Sequence, residues 1–167
     1  MQSVIHLALN AREGEGVELS KRYKIGNLFP VFILTNSSGE VIYRWTGYTE
    51  SNRFINSLRK GLSDLIIIDE RIAKLQTNPS FTDAVFLAGY SSDTGEHLKA
   101  VEYYRQAESL ATSRGSDFSY EIFENTVNAV SKDMIPFDEV LPAADGVLNS
   151  KRKRTNYIVK MARIMAR

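Results

Sequence analysis

Cysteine is absent from the 167 residues, and every reaction that needs a thiolate is absent with it. Thiol–disulfide exchange requires one sulfur to attack and a second to resolve the mixed disulfide, and no other side chain substitutes for either. Disulfide staples and cysteine metal sites are excluded for the same reason. Histidine is scarce, with only His6 and His97. An excess of charge of one sign is also lacking: 21 basic against 20 acidic residues leave a net charge of +1, so no global field draws the chain to nucleic acid or an anionic membrane. No apolar run approaches the about 20 residues that span a bilayer. Residues 1–10 have neither the basic start nor the apolar stretch of a signal peptide. A soluble, cytoplasmic protein is the expectation.

What is present suits a globular chain with a core of its own, since 43% of the residues are hydrophobic and 25% charged. The periodicity changes near Leu62 and divides the chain into 1–62 and 63–167. In the first part, Ser3–Leu9 is a β-like run, and Glu15–Tyr23 places Leu19 and Tyr23 at helical spacing. Val31–Thr35 and Glu40–Trp45 are short β-rich runs. Asn36-Ser37-Ser38-Gly39 between them is turn chemistry, which predicts an antiparallel hairpin with a four-residue loop. Thr49 or Ser51 can cap a helix whose Phe54, Ile55, Leu58 and Leu62 share a face. From Ser63 onward the pattern is helix after helix, so the fold class is α/β followed by all-α.

The stretch from Val17-Glu18-Leu19-Ser20 through Phe29-Pro30-Val31-Phe32-Ile33-Leu34 to Gly39-Glu40-Val41-Ile42-Tyr43 and Gly47 resembles the second half of a thioredoxin domain. Tyr23, Ile25, Pro30, Gly39 and Gly47 fall in the order of that family's helix, proline-opened hairpin and closing glycine. The resemblance covers roughly residues 1–62. It implies a cis bond at Pro30 and a peptide-contact surface at Phe29, Pro30 and Val31. The pattern departs from the family where Phe29 and Val31 flank the proline and where one extra residue separates Ile25 from Pro30. The family's central strand and its Cys-x-x-Cys helix have no counterpart, so the sheet is a truncated one. The edges of Ser3–Leu9 and Val31–Thr35 then lack expected hydrogen bonds, which predicts either direct pairing of these two strands or a homodimer through the unpaired edges.

Across 81–114, Ala84, Leu87, Ala88, Gly95, Ala100, Tyr104 and Ala107 resemble the tetratricopeptide repeat, in which small residues let two antiparallel helices approach closely. Gly95 within Ser92-Asp93-Thr94-Gly95 permits the tight turn, and Ser80 with Asp83 resembles a capping box after Asn78-Pro79. The departure is Ser91, where an aromatic is usual. One repeat needs stacked neighbours to bury its faces. Asp64–Gln76, beginning Leu65-Ile66-Ile67-Ile68, reads as a helix buried between the two parts. Tyr120–Val130 places Phe123, Val127 and Val130 in register. Pro136 opens a helix carrying Phe137, Val140, Leu141, Ala144 and Leu148, which Pro142 can kink or split. Thr155–Ala166, with Ile158, Met161, Ala162 and Met165, would cap the stack. About six helices are expected after the α/β part, with loops at Gly115-Ser116-Asp117 and Ser131-Lys132-Asp133.

Catalytic chemistry finds little support. His6 and His97 lie in different parts, and no motif offers either one a nucleophile or a carboxylate, so each reads as a core or surface histidine. Glu13-Gly14-Glu15, Asp69-Glu70 and Asp138-Glu139 lack metal-ligand spacing and read as solvated helix starts. Gly14-x-Gly16 lacks the third glycine and the lysine of a phosphate loop. Lys151, Arg152, Lys153 and Arg154 form a basic run that could meet phosphates, but a basic loop ahead of an amphipathic helix is better read as solvated surface. Trp45 and Tyr48 flank Thr46-Gly47, where Trp45 suits hairpin packing. No metal or other cofactor is implied. The expectation is a redox-inactive thioredoxin-like and tetratricopeptide-like module that binds a protein or peptide. The alternative is a piece of a thiol–disulfide oxidoreductase or disulfide isomerase whose cysteines lie upstream of Met1, so enzymatic activity stays open.

Overall fold

A computed structural model of the chain describes residues 5–27, 29–47, 50–111 and 116–150. The basic run Lys151–Arg154 and the expected capping helix over 155–166 lie outside these residues, as do Tyr48 and Thr49. Among the described residues the architecture is mixed α/β: a two-stranded antiparallel sheet and seven α-helices. Helix α1 is Glu15–Arg22, strands β1 and β2 are Val31–Thr35 and Val41–Thr46, and α2 is Ser51–Ser63. Then come α3 (Ile68–Thr77), α4 (Phe81–Asp93), α5 (His97–Leu110), α6 (Ser119–Val130) and α7 (Val140–Asn149). No described helix is long and apolar enough to cross a membrane.

The expected strand at Ser3–Leu9 is not found where it is described. Residues 5–10 carry no strand, and Ile5 and Leu7 are 95% and 71% exposed. Direct closure of this segment onto β1 is therefore overturned: β1 pairs with β2 and with no other described strand. The β1–β2 hairpin forms as its composition predicts, but with five connecting residues rather than four. Asn36 Oδ1 accepts from the N–H groups of Ser38 (3.0 Å) and Glu40 (2.9 Å). Gly39 takes the left-handed conformation, φ 77, and the register shifts between Leu34 and Thr35. This is a turn closed by a glycine bulge, which absorbs the extra residue. One face of the hairpin is aromatic: Trp45 stacks on Phe32 at 5.1 Å, and Phe54 of α2 meets both edge-on.

Helix α2 has no side-chain cap, so Ser51 does not serve as one, and Ile55 turns to solvent while Phe54, Leu58 and Leu62 are partly buried. Helix α3 starts four residues later than expected. Asp64 Oδ1 accepts from Ile66 N (3.2 Å) while Oδ2 takes Arg71 (2.8 Å), so 64–67 stay outside the helix and Leu65 is exposed. β-Branched residues tolerate that extended path well.

Helices α4 and α5 pack closely along each other across the turn at Thr94-Gly95. Ala84, Ala88, Ala100 and Ala107 are all fully buried, as expected for a contact made by small side chains. Helix α6 packs on both α5 and α7 around a second core of Val101, Tyr120, Phe123, Val140, Ala144 and Val147. In α7 the buried stripe is Val140, Ala143, Ala144 and Val147, a rotation from the expected one. Phe137, Leu141 and Leu148 are exposed because the bulky Tyr120 and Phe123 of α6 leave room only for small and β-branched partners. Pro142 splits rather than kinks the run. A single 3-10 turn at Phe137–Glu139 precedes α7, and the proline falls in the first helical turn, where a missing N–H costs nothing.

Candidate functional site

A groove of about 450 Å³ lies between two walls, residues 9–12 on one side and Ile25, Phe29, Pro30 and Val31 on the other. It contains all three of the expected peptide-contact residues, Phe29, Pro30 and Val31. The Phe29–Pro30 bond is cis. Phe29 is 48% exposed and Leu9 46%, so the groove offers apolar surface to solvent. Arg12 stands exposed at its border, giving the site one cationic group beside a lining that is apolar apart from Asn10.

Each wall is positioned by backbone devices that the composition did not reveal. Asn10 and Ala11 are held against α1. Ser20 Oγ donates to Ala11 O (3.2 Å) and Gly16 O (2.6 Å), and the Asn10 carbonyl sits so close that a Cβ on Gly16 would meet it at 1.9 Å. Ile25 is delivered to the other wall by the end of α1, where Ile25 N bonds Ser20 O (2.8 Å) and Lys24 takes a left-handed φ of 50. That is a Schellman-type ending with lysine in place of the usual glycine, so no sequence signal announces it.

Arg44 of β2 locks this ending in place. Its guanidinium is buried and donates to Tyr23 O (2.6 Å), with longer bonds at 3.4 Å to Lys24 O and Asp93 O. Burial pushes the Arg44 guanidinium down, opposed by Asp93 and Tyr90. Lys24 in turn bonds Glu96 at the start of α5, and Tyr23 Oη donates to Gly39 O (3.0 Å). Sequence reading missed Arg44 because an arginine alternating with apolar residues on a strand reads as solvent-facing.

The residues considered for catalysis are placed elsewhere and apart. His6 is exposed on the 5–10 segment. His97 is buried, with Nδ1 at 3.0 Å from Asn125 Oδ1 and Nε2 at 3.0 Å from Lys132 Nζ. The lysine ammonium can only donate, so Nε2 accepts and Nδ1 carries the proton toward Asn125; both ring nitrogens are already used. Asp69 and Glu70 lie in the first turn of α3, and Asp138 and Glu139 in the 3-10 turn. Among the described residues no cluster of three or more His, Asp or Glu is placed to hold a metal ion. Trp45 packs within the hairpin. No family model matches the chain, and no curated protein or solved structure matches it either.

Proposed function

We infer that this chain is a redox-inactive protein-binding module, thioredoxin-like in its first part and tetratricopeptide-like in its helices. Its contact surface is the groove beside Pro30, and its ligand is an extended segment of protein or peptide. The observation that carries this reading is the groove itself, which presents the exposed Phe29 and Leu9 on walls fixed from behind by Ser20, Gly16 and Arg44. Preformed apolar concavity with few polar groups is the usual character of a binding site, and fixed walls lower the ordering cost of filling it. Such a role needs no thiol and no general base. The buried alanines of α4 and α5 support the repeat-like reading of the helical part.

Fluorescence polarisation with a labelled, extended heptapeptide of alternating apolar residues tests this. Saturable binding is expected, weakened about tenfold by Phe29→Ala, which removes the largest exposed apolar surface of the groove. Binding that ignores Phe29→Ala, or none at all, overturns it.

A further inference from the structure

Two strand-forming surfaces that start from the groove beside Pro30 are left without a described strand partner. One is the outer edge of β1. The bond from Gly47 N to Pro30 O (2.8 Å) makes Pro30 and Gly47 a bonded pair, and antiparallel alternation then makes Phe32–Trp45 and Leu34–Tyr43 bonded pairs as well. Val31 and Ile33 therefore turn their N–H and C=O groups away from β2, toward an edge that no other described strand meets. The other surface is the arm at residues 5–9. Ile5, Leu7 and Leu9 occupy alternate positions, as on one face of a strand, yet all three are exposed and the arm pairs with nothing as a strand.

The arm is not a loose end at its base. Asn10 and Ala11 are clamped to α1 through Gly16 and Ser20, and Leu9 lines the groove with Pro30 and Val31. The arm thus departs beside the beginning of β1 but is separated from that strand by the groove. An open edge and an exposed apolar strand segment are each a template for association, and every chain carries both.

We propose that residues 5–9 of one copy pair with the outer edge of β1 in a second copy, reciprocally, to form a two-fold strand-exchanged homodimer. This rests on the reading of the Pro30 side as a protein-contact surface and names its partner. A foreign strand would cover the β1 edge but leave the arm bare, whereas reciprocal exchange covers both on both chains about a two-fold axis. Neither 5–9 nor 31–35 contains an acidic residue, lysine or arginine, so pairing strips water from none of those charges. The net charge of +1 adds little repulsion between copies.

Light scattering coupled to size exclusion, run on the full chain over a concentration series, is the test. The expected mass is about twice the 18.8 kDa of one chain. Leu7→Pro disables the arm, and Ile33→Pro removes an edge N–H that the β1–β2 ladder does not use. Each variant alone is expected to run as a monomer, and their equimolar mixture should recover a dimer, because one supplies the arm and the other the edge. Should Ile33→Pro fail to fold by circular dichroism, Leu7→Pro and Leu7→Lys, both at an exposed position, decide alone. A monomer at every concentration, or a dimer indifferent to Leu7 substitution, overturns the proposal. A monomer that still binds the apolar heptapeptide in a Phe29-dependent way overturns self-pairing and leaves the binding reading standing; a monomer that binds no peptide overturns both.

Discussion

Arg71 has one of the largest fully buried side chains in the protein, and its surroundings show how one residue can organise several. Its guanidinium meets Asp83 (2.5 Å) and Asp64 (2.8 Å) and lies 4.1 Å from the centre of the Phe86 ring. Lys74 adds a second cation to Asp83 at 3.0 Å. The Ser80–Asp83 capping box is consequently only half made. Ser80 Oγ accepts from Asp83 N (3.2 Å), but the Asp83 carboxylate turns to Arg71, Lys74 and the Ser80 hydroxyl. Removing one partner of a buried pair leaves a charge stranded in low dielectric. Asp83→Asn is expected to cost about 3 kcal/mol of stability, measured by urea denaturation; a loss within experimental scatter would contradict a central role. The cap was legible from Ser80 and Asp83 alone. The ion pair was not, because Arg71 lies 12 residues from Asp83 and nothing local marks it as buried.

At the scale of elements, the packing of α1 against residues 10 and 11 sets the geometry of the groove. Gly16→Ala would force a Cβ onto the Asn10 carbonyl, so the wall carrying Leu9 must move. Overpacking of this kind costs about 1–3 kcal/mol. The expected result is a lower melting temperature together with weakened peptide binding, read by calorimetry and polarisation on one preparation; unchanged binding would show that this wall takes no part. Element identity was largely legible. The α1, β1, β2 and α6 segments lie within a residue or so of their expected bounds because turn chemistry and periodicity are local. Two elements differ for non-local reasons. The 64–67 run leaves the helix because Asp64 is engaged by Arg71, and α7 presents another face because the size of Tyr120 and Phe123 selects Val140, Ala143, Ala144 and Val147.

For the whole molecule, titration links distant elements. Burial would raise the Asp83 carboxyl, but hydrogen bonds from Ser80, Lys74 and Arg71 hold it below its ordinary 3.8; Asp64 behaves likewise, its burial outweighed chiefly by the Arg71 bond. Hydrogen bonds from Lys24 and then Lys99 hold Glu96 below 4.5. All three bind protons less readily folded than unfolded, so the stability they contribute is complete above their unfolded values and is lost as pH falls through the lower folded ones. The urea midpoint is expected to hold from neutral pH to about 5 and to drop below about 4; a midpoint flat to about pH 2 would contradict these assignments. Tyr104 acts at the other end: burial first, then Glu121, Asp93 and Glu124, push it from 10.0 up to about 12. The folded state keeps that proton longer than the unfolded chain, and stability declines as pH rises across that interval. By itself the sequence determined the absence of thiol chemistry, the helix-rich second part, the hairpin and the position of Pro30, since composition and short-range periodicity act through neighbouring residues. Only the tertiary structure decided that residues 5–9 stay off the sheet, that Arg44 and Arg71 are buried, and that Leu9 and Phe29 face one groove. Those outcomes depend on which surfaces distant segments bring together, and no local pattern carries that information.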